Sequence, residues 1–100
     1  MNIDIKDFQL SVLLEFNKGN KQLAINKLKK YLNTYPNDFN ARNNLAYMYV
    51  NYNLIDLAIE EYKYIVEREE NLKAMFNLAI CYLNRNKSDE SENLLKKIIQ

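Results

Sequence analysis

The chain has no histidine and no tryptophan, and its 100 residues include one cysteine, one glycine and one proline. Without histidine, the catalytic arrangements that pair serine or cysteine with histidine are excluded, as is a zinc site built from the usual ligands. The one glycine, Gly19, excludes glycine-rich phosphate-binding loops. We therefore expect no enzymatic activity, no metal site and no cofactor. The scarcity of glycine and proline also favours continuous helices over a turn-rich β fold.

Long hydrophobic runs are absent as well. No window approaches 18 consecutive apolar residues, so we expect no membrane insertion. The start of the chain, Met1 to Asp4, lacks the basic and apolar stretches of a secretion signal. Cys81 has no second cysteine to pair with, and we interpret it as a small buried apolar side chain. These features predict a soluble protein of the cytoplasm.

The numbers of basic and acidic residues are nearly equal, at 14 and 13, so the net charge is only +1. Residues 1–38 carry 6 basic and 4 acidic groups, residues 39–71 carry 3 and 6, and residues 72–100 carry 5 and 3. Nucleic-acid binders usually show a clustered basic face and a much higher isoelectric point, so nucleic acid is not an expected partner. We interpret the acidic residues between Asp56 and Glu70 as solvated helix surface rather than as paired catalytic carboxylates.

The chain contains an internal repeat. Asn44-Leu45-Ala46 followed by Tyr49 returns, 33 residues later, as Asn77-Leu78-Ala79 followed by Tyr82. Small residues recur at corresponding positions of the repeats. Large side chains elsewhere in the same helices would fill the space that the small residues leave. The small positions are Ala24, Ala46, Ala58, Ala79 and Ser91. A repeat period of this length is typical of stacked helical hairpins.

Apolar periodicity predicts six helices, over roughly residues 4–17, 20–33, 38–51, 54–68, 72–84 and 88–99. Gly19-Asn20, Asn53 and Asn86 lie at corresponding breaks, and glycine and asparagine best tolerate the left-handed conformation that ends a helix. Asp38 and Ser88 are predicted to cap the helices that follow them. The connections are short, so consecutive helices are expected to form antiparallel hairpins within one domain spanning residues 1–100.

These residues resemble the tetratricopeptide repeat family. The repeats would be about 5–38, 39–71 and 72–100. The second repeat matches best, and in the third Ser91 replaces an alanine. In the first helix Ser11, Val12 and Glu15 depart from the family pattern, as terminal repeats often do. The resemblance implies an all-α, right-handed superhelical solenoid of three antiparallel hairpins that acts as a protein–protein interaction scaffold.

In that family the first helix of each hairpin lines a concave groove for a peptide or an amphipathic helix of a partner protein. The matching groove residues here are Leu13, Asn44, Tyr47, Asn51, Lys73, Phe76, Asn77 and Ile80. Asparagine side chains both donate and accept, so Asn44, Asn51 and Asn77 would bond the backbone of an extended peptide. The alternative is that they are ordinary repeat residues, because the chain contains 16 asparagines.

The family's carboxylate clamp for chaperone tails is not expected, because Gln9, Leu13 and Asn77 stand at three of its five positions. Two other roles stay open. The apolar residues of the last helix would let residues 88–100 of two copies stack, which gives a self-assembling, oligomeric scaffold. The third possibility is a small chaperone for a secreted or assembling partner, since the chain resembles bacterial export chaperones that are built from three such repeats.

Overall fold

The computed structural model describes residues 5–100, with side chains from Phe8 onward. This part of the chain forms six helices and no strand, and each helix begins and ends within two residues of its predicted position, apart from the start of the first at residue 4, which lies outside the described residues. The helices are α1 (Ile5–Asn17), α2 (Lys21–Thr34), α3 (Phe39–Asn51), α4 (Ile55–Val66), α5 (Leu72–Asn84) and α6 (Ser88–Ile99).

The chain divides into two compact units, one ending at Asn37 and the other running from Asp38 to Gln100. The first unit contains the α1–α2 hairpin. The Lys27 ammonium donates to the Ser11 hydroxyl at 2.6 Å, and the rings of Phe8 and Tyr31 stack with centroids 4.7 Å apart. A polar contact and an aromatic contact thus join the two helices, beside the buried Val12 and Leu28.

The second unit contains α3 to α6, in which α4 packs on α3 and α5, and α6 packs on α5. The small residues that the repeat predicts, Ala46, Ala58, Ala79 and Ser91, are all at most 1% exposed. The Ser91 hydroxyl donates to the Ala79 carbonyl at 2.9 Å, which explains why serine is accepted where the repeat pattern has alanine. Small side chains thus let neighbouring helices approach closely, as we predicted.

The turn within each hairpin has the same backbone geometry. Gly19, Asn53 and Asn86 have φ values of 81°, 60° and 60°, which confirms the predicted left-handed positions. The backbone amide of the next residue donates a hydrogen bond to the carbonyl five residues before it. The distance is 2.8 Å from the Leu54 amide to the Tyr49 carbonyl, and 2.8 Å from the Lys87 amide to the Tyr82 carbonyl. This is the Schellman ending of a helix, and it fixes the number of residues in the turn.

Side-chain caps occur at the starts of α3 and α5, the helices that follow the connections between hairpins. Asp38 accepts from the Ala41 amide, as predicted, and Asn71 accepts from the Ala74 amide. The prediction of a Ser88 cap is wrong, because Ser88 is the first residue inside α6 and Lys87 precedes it without a side-chain cap. The turn at Asn86 leads directly into α6, so Ser88 already lies within the helix. Within the described residues, no helix is long and apolar enough to cross a lipid bilayer.

Candidate binding surface

Helix α5 is apolar on two sides. Its buried side consists of Ala74, Leu78, Ala79 and Cys81. A second row of large apolar residues faces solvent, with exposed fractions between 41% and 56%: Leu72, Phe76, Ile80 and Leu83. We call this row the α5 stripe. A helix that packs on one side only normally carries polar residues on the other, so folding alone does not explain the α5 stripe.

Helix α3 presents a more polar surface. Asn44, Tyr47 and Asn51 are exposed. The neighbouring Asn43 is buried, and its side-chain oxygen has no hydrogen-bond partner. A buried amide oxygen without a partner costs about 1–3 kcal/mol of stability. The asparagines of α3 therefore differ in environment although they are adjacent in sequence.

Tyr62 of α4 is influenced by residues of both helices. It is 1% exposed, and burial, assisted by Cys81, raises the pKa of its phenol to about 12. The Asn77 side chain of α5 favours the ionised phenol and lowers this pKa, while Tyr47 of α3 raises it. Tyr47 and Asn77, two of the predicted groove residues, therefore both affect the pKa of Tyr62. We call Asn44, Tyr47, Lys73 and Asn77, together with the α5 stripe, the α3–α5 surface.

Of the three asparagines predicted to bond a peptide backbone, Asn51 donates its side-chain amide to the Tyr47 carbonyl of its own helix at 2.9 Å. Asn77 is half-buried and lowers the pKa of Tyr62. Asn44 is exposed. Leu13, the remaining predicted residue, lies on α1 in the first unit, where it is 52% exposed.

Charge on the α3–α5 surface is sparse. Helices α3 and α5 contain one cation each, Arg42 and Lys73, and no carboxylate. Arg42 is engaged with Glu61 at 2.7 Å and lies 3.7 Å from the centre of the Tyr64 ring. Lys73 is exposed on the first turn of α5. Apart from Asp38, which caps α3, the acidic groups of this unit are on α4, on the segment after it and on α6.

The remaining features of this unit are structural. Cys81 is buried, and burial raises the pKa of its thiol, which disfavours a reactive thiolate. A shallow cavity of about 220 Å³ lies between residues 53–57 and Arg85, at an exposed ion pair of Arg85 with Asp56. Among the described residues, no three histidine, cysteine, aspartate or glutamate side chains are grouped as metal ligands would be.

Most residues of this surface were named from the sequence as groove residues, and that role stays a prediction. Leu72 was missed, although its spacing of four residues from Phe76 and of eight from Ile80 is a readable signal. The burial of Tyr62 and the Asn71 cap were also missed. The first depends on contacts between helices, and the second was obscured because asparagine is common throughout the chain.

Comparison with known proteins gives a consistent result. The family described as "Family of unknown function (DUF6584)" matches residues 10–96. The TPR repeat-containing protein MJ0263 of Methanocaldococcus jannaschii is 35% identical over 72 residues, which are 72% of this chain and 22% of that protein.

Solved structures of MamA share the fold. One has a TM-score of 0.79 at 24% identity and is matched over 99% of this chain and 55% of its own. Another, of MamA AMB-1, has a TM-score of 0.80 at 24% identity, with 95% and 52% covered. The chain thus spans little more than half of the MamA chains and less than a quarter of MJ0263. These matches confirm the predicted all-α solenoid of tetratricopeptide type. The chain belongs to the DUF6584 family of unknown function, and its fold is that of the tetratricopeptide repeats.

Proposed function

We propose that the chain is a non-catalytic protein-interaction module, and that it binds a segment of a partner protein on the α3–α5 surface. The observation that carries this proposal is the α5 stripe, four large apolar side chains that are exposed along one helix. Contiguous exposed apolar surface of this kind marks interaction sites. The cytoplasm is the proposed compartment, in keeping with the buried, unpaired Cys81.

The arrangement of the surface supports the proposal. Phe76 and Tyr47 offer aromatic contact area, which is enriched at the centres of protein interfaces. The polar groups that flank them, Asn44 and Asn77, can orient a bound segment through hydrogen bonds.

A selection from random peptides tests the proposal without knowledge of the natural partner. Peptides of about 16 residues displayed on phage are selected against the chain, and their affinities are measured by fluorescence anisotropy. We expect Phe76→Ser and Ile80→Ser each to weaken binding by about tenfold or more, and Asn44→Ala by about 1–3 kcal/mol. These residues are exposed, so melting curves should be unchanged.

Leu57→Ser is the matched control. Leu57 lies on α4 of the same unit, outside the α3–α5 surface, and its exposed fraction of 43% is close to the 41% of Ile80. This variant should bind the selected peptides as the unmodified chain does. Failure to select any peptide, or equal affinities in the Ile80→Ser and Leu57→Ser variants, would refute the proposed surface.

Self-association through residues 88–100 is a second candidate. Ser91 is the one buried residue of α6, and Ile99 is 83% exposed beside the partly exposed Leu94, Leu95 and Ile98. Light scattering after size exclusion, over a hundredfold range of concentration, tests it. A mass that rises with concentration in the unmodified chain and stays constant in Ile98→Lys would favour this role, whereas a constant 11.9 kDa mass would exclude it.

A further inference from the structure

Helices α1 and α6 indicate how two copies of this chain would meet, an inference that rests on the second candidate function, self-association. We propose that α6 of one copy packs on α1 of another copy in the way that α4 packs on α5 within the chain. The contact is then head-to-tail, between two different surfaces. Burial and charge on both helices, compared with the α4–α5 junction, support this arrangement.

Helix α6 leaves uncovered a face that is covered in α4. Helix α4 packs on both α3 and α5, whereas α6 packs on α5. Tyr62 and Ile65 of α4 are buried, and the residues 33 positions after them, Leu95 and Ile98, are only half-buried. We call Leu95 and Ile98 the α6 face. Within the described residues, the α6 face lacks the second neighbour that α5 provides for α4.

Helix α1 has the complementary uncovered position. Its residues precede their counterparts in α5 by 67 positions, as the turn residues Gly19 and Asn86 do. Leu14 is 52% exposed, whereas its counterpart Cys81, on a helix that α4 covers, is 1% exposed. Leu14 therefore stands at a position that is buried in α5, and it offers apolar area to a helix that packs there as α4 packs on α5.

Charge supports the same pairing. Between the second and third hairpins, Arg85 pairs with Asp56 of α4 at 3.0 Å. Lys18 holds the position of Arg85 in the first hairpin, and Asp89 holds the position of Asp56 in the third; both are exposed. Packing α6 on α1 of another copy would therefore bring a lysine and an aspartate together. The pair is not a constant feature of the repeat, because the corresponding positions of the first two hairpins hold Gln22 and Tyr52.

One position of α6 departs from the pattern and limits the strength of the contact. Glu92 stands where α4 has the buried Ile59, and it pairs with Lys96 of its own helix at 3.2 Å. Covering a carboxylate removes it from water, which costs free energy. We therefore expect the association to be weak and reversible, and we expect Glu92→Ile to strengthen it.

Mixing two blocked variants tests the inference on the complete 100-residue chain. Leu14→Lys blocks α1 and keeps the α6 face, whereas Ile98→Lys blocks the α6 face and keeps Leu14. Light scattering after size exclusion at low salt, over a hundredfold range of concentration, gives the mass of each variant and of an equal mixture. Each variant alone should stay at 11.9 kDa. The mixture should form a one-to-one pair and nothing larger, because a head-to-tail contact uses one surface of each kind.

Leu13→Lys is the matched control for Leu14→Lys. Leu13 is adjacent to Leu14 and equally exposed, but its counterpart in α5, Ile80, is exposed although α4 packs on that helix. Position 13 therefore lies outside the proposed contact. The mass of this variant should rise with concentration as that of the unmodified chain does.

Exposed residues provide a test that does not depend on the folding of Ile98→Lys. Lys18→Glu or Asp89→Lys alone should raise the concentration needed for association by about threefold, and the two together in one chain should restore it. Glu92→Ile should lower that concentration by about tenfold, because it adds an apolar side chain to the contact. Asn93→Ile, at the next and exposed position, should leave it unchanged.

The inference and the proposed functions fail separately. A constant 11.9 kDa mass of the unmodified chain would refute self-association and the head-to-tail contact together. If the mass rises but Leu14→Lys associates as the unmodified chain does, and the mixture forms no pair, self-association stands and the head-to-tail contact is refuted. Peptide binding on the α3–α5 surface is measured independently, and neither outcome affects it.

Discussion

Ionisation of Tyr62 should make the protein unstable at alkaline pH, and Tyr62→Phe should remove part of that instability. Tyr62 is 1% exposed, and its pKa is raised from 10.0 to about 12. The folded state therefore holds this proton more tightly than the unfolded state does. The stabilisation that results is complete below pH 10 and is lost as the pH rises through 12.

The size of the effect follows from the two pKa values. With a value of 10.0 in the unfolded chain and about 12 in the folded protein, the loss is about 1.4 kcal/mol at pH 11 and approaches about 2.7 kcal/mol well above pH 12. Burial also raises the pKa of Tyr49, Tyr82 and Cys81, which adds to the alkaline instability of the unmodified chain. Those groups are unchanged in Tyr62→Phe, so the difference between the two proteins isolates Tyr62.

Urea unfolding at pH 8 and pH 11, followed by circular dichroism, measures this difference. At pH 8 the phenylalanine variant should be less stable by about 1.5 kcal/mol at most, because only the polar interactions of the hydroxyl are lost. Between pH 8 and pH 11 the unmodified protein should lose about 1.4 kcal/mol more than the variant, a difference of about 1 M in the urea midpoint. If both lose the same amount, the Tyr62 phenol is not buried in the folded protein and the reasoning is refuted.

Three further predictions concern the helix junctions and are measured by urea unfolding at pH 7. Asn53→Ala should cost about 1–2 kcal/mol while Asn53→Gly changes little, because position 53 has a positive φ; equal effects would contradict the left-handed turn. Asn71→Ala should cost about 1 kcal/mol and Ser88→Ala less than about 0.5 kcal/mol, since Asn71 alone of the two is a cap. Ser91→Val should cost about 1–3 kcal/mol and Ser91→Ala less than about 1 kcal/mol, because Ser91 lies where helices meet closely; the reverse order would show a roomier contact.

The elements of this fold could be predicted because each depends on a local rule. Gly19, Asn53 and Asn86 stand where a helix must end in a left-handed residue, and the small residues of the repeat mark the close contacts between helices. The prediction for Ser88 was wrong because the cap and the first residue of a helix differ by one position. The Schellman turn at Asn86 determines that Lys87 takes the cap position and Ser88 the first position of α6. Sequence alone could not separate these cases.

The binding surface was harder to predict because its residues depend on contacts between helices. Asn43 and Asn44 are adjacent and identical, yet one is buried and the other exposed, which no composition argument can distinguish. Asn51 was predicted to bond a peptide backbone, and its side-chain amide donates instead to the Tyr47 carbonyl of its own helix. The row formed by Phe76 and Ile80 was visible in the sequence, whereas the burial of Tyr62 beside it required the fold.

The two kinds of helix junction have a consequence for how such a chain can change in length. Within a hairpin, the backbone bonds of the Schellman turn allow one residue count, so an inserted residue at Asn53 or Asn86 would break them. Between hairpins, the segments at residues 35–38 and 67–71 each end in a capping side chain, Asp38 or Asn71, which can start a helix whatever precedes it. Additional sequence is therefore admissible at these segments alone, and a protein built this way grows or shrinks by whole hairpins.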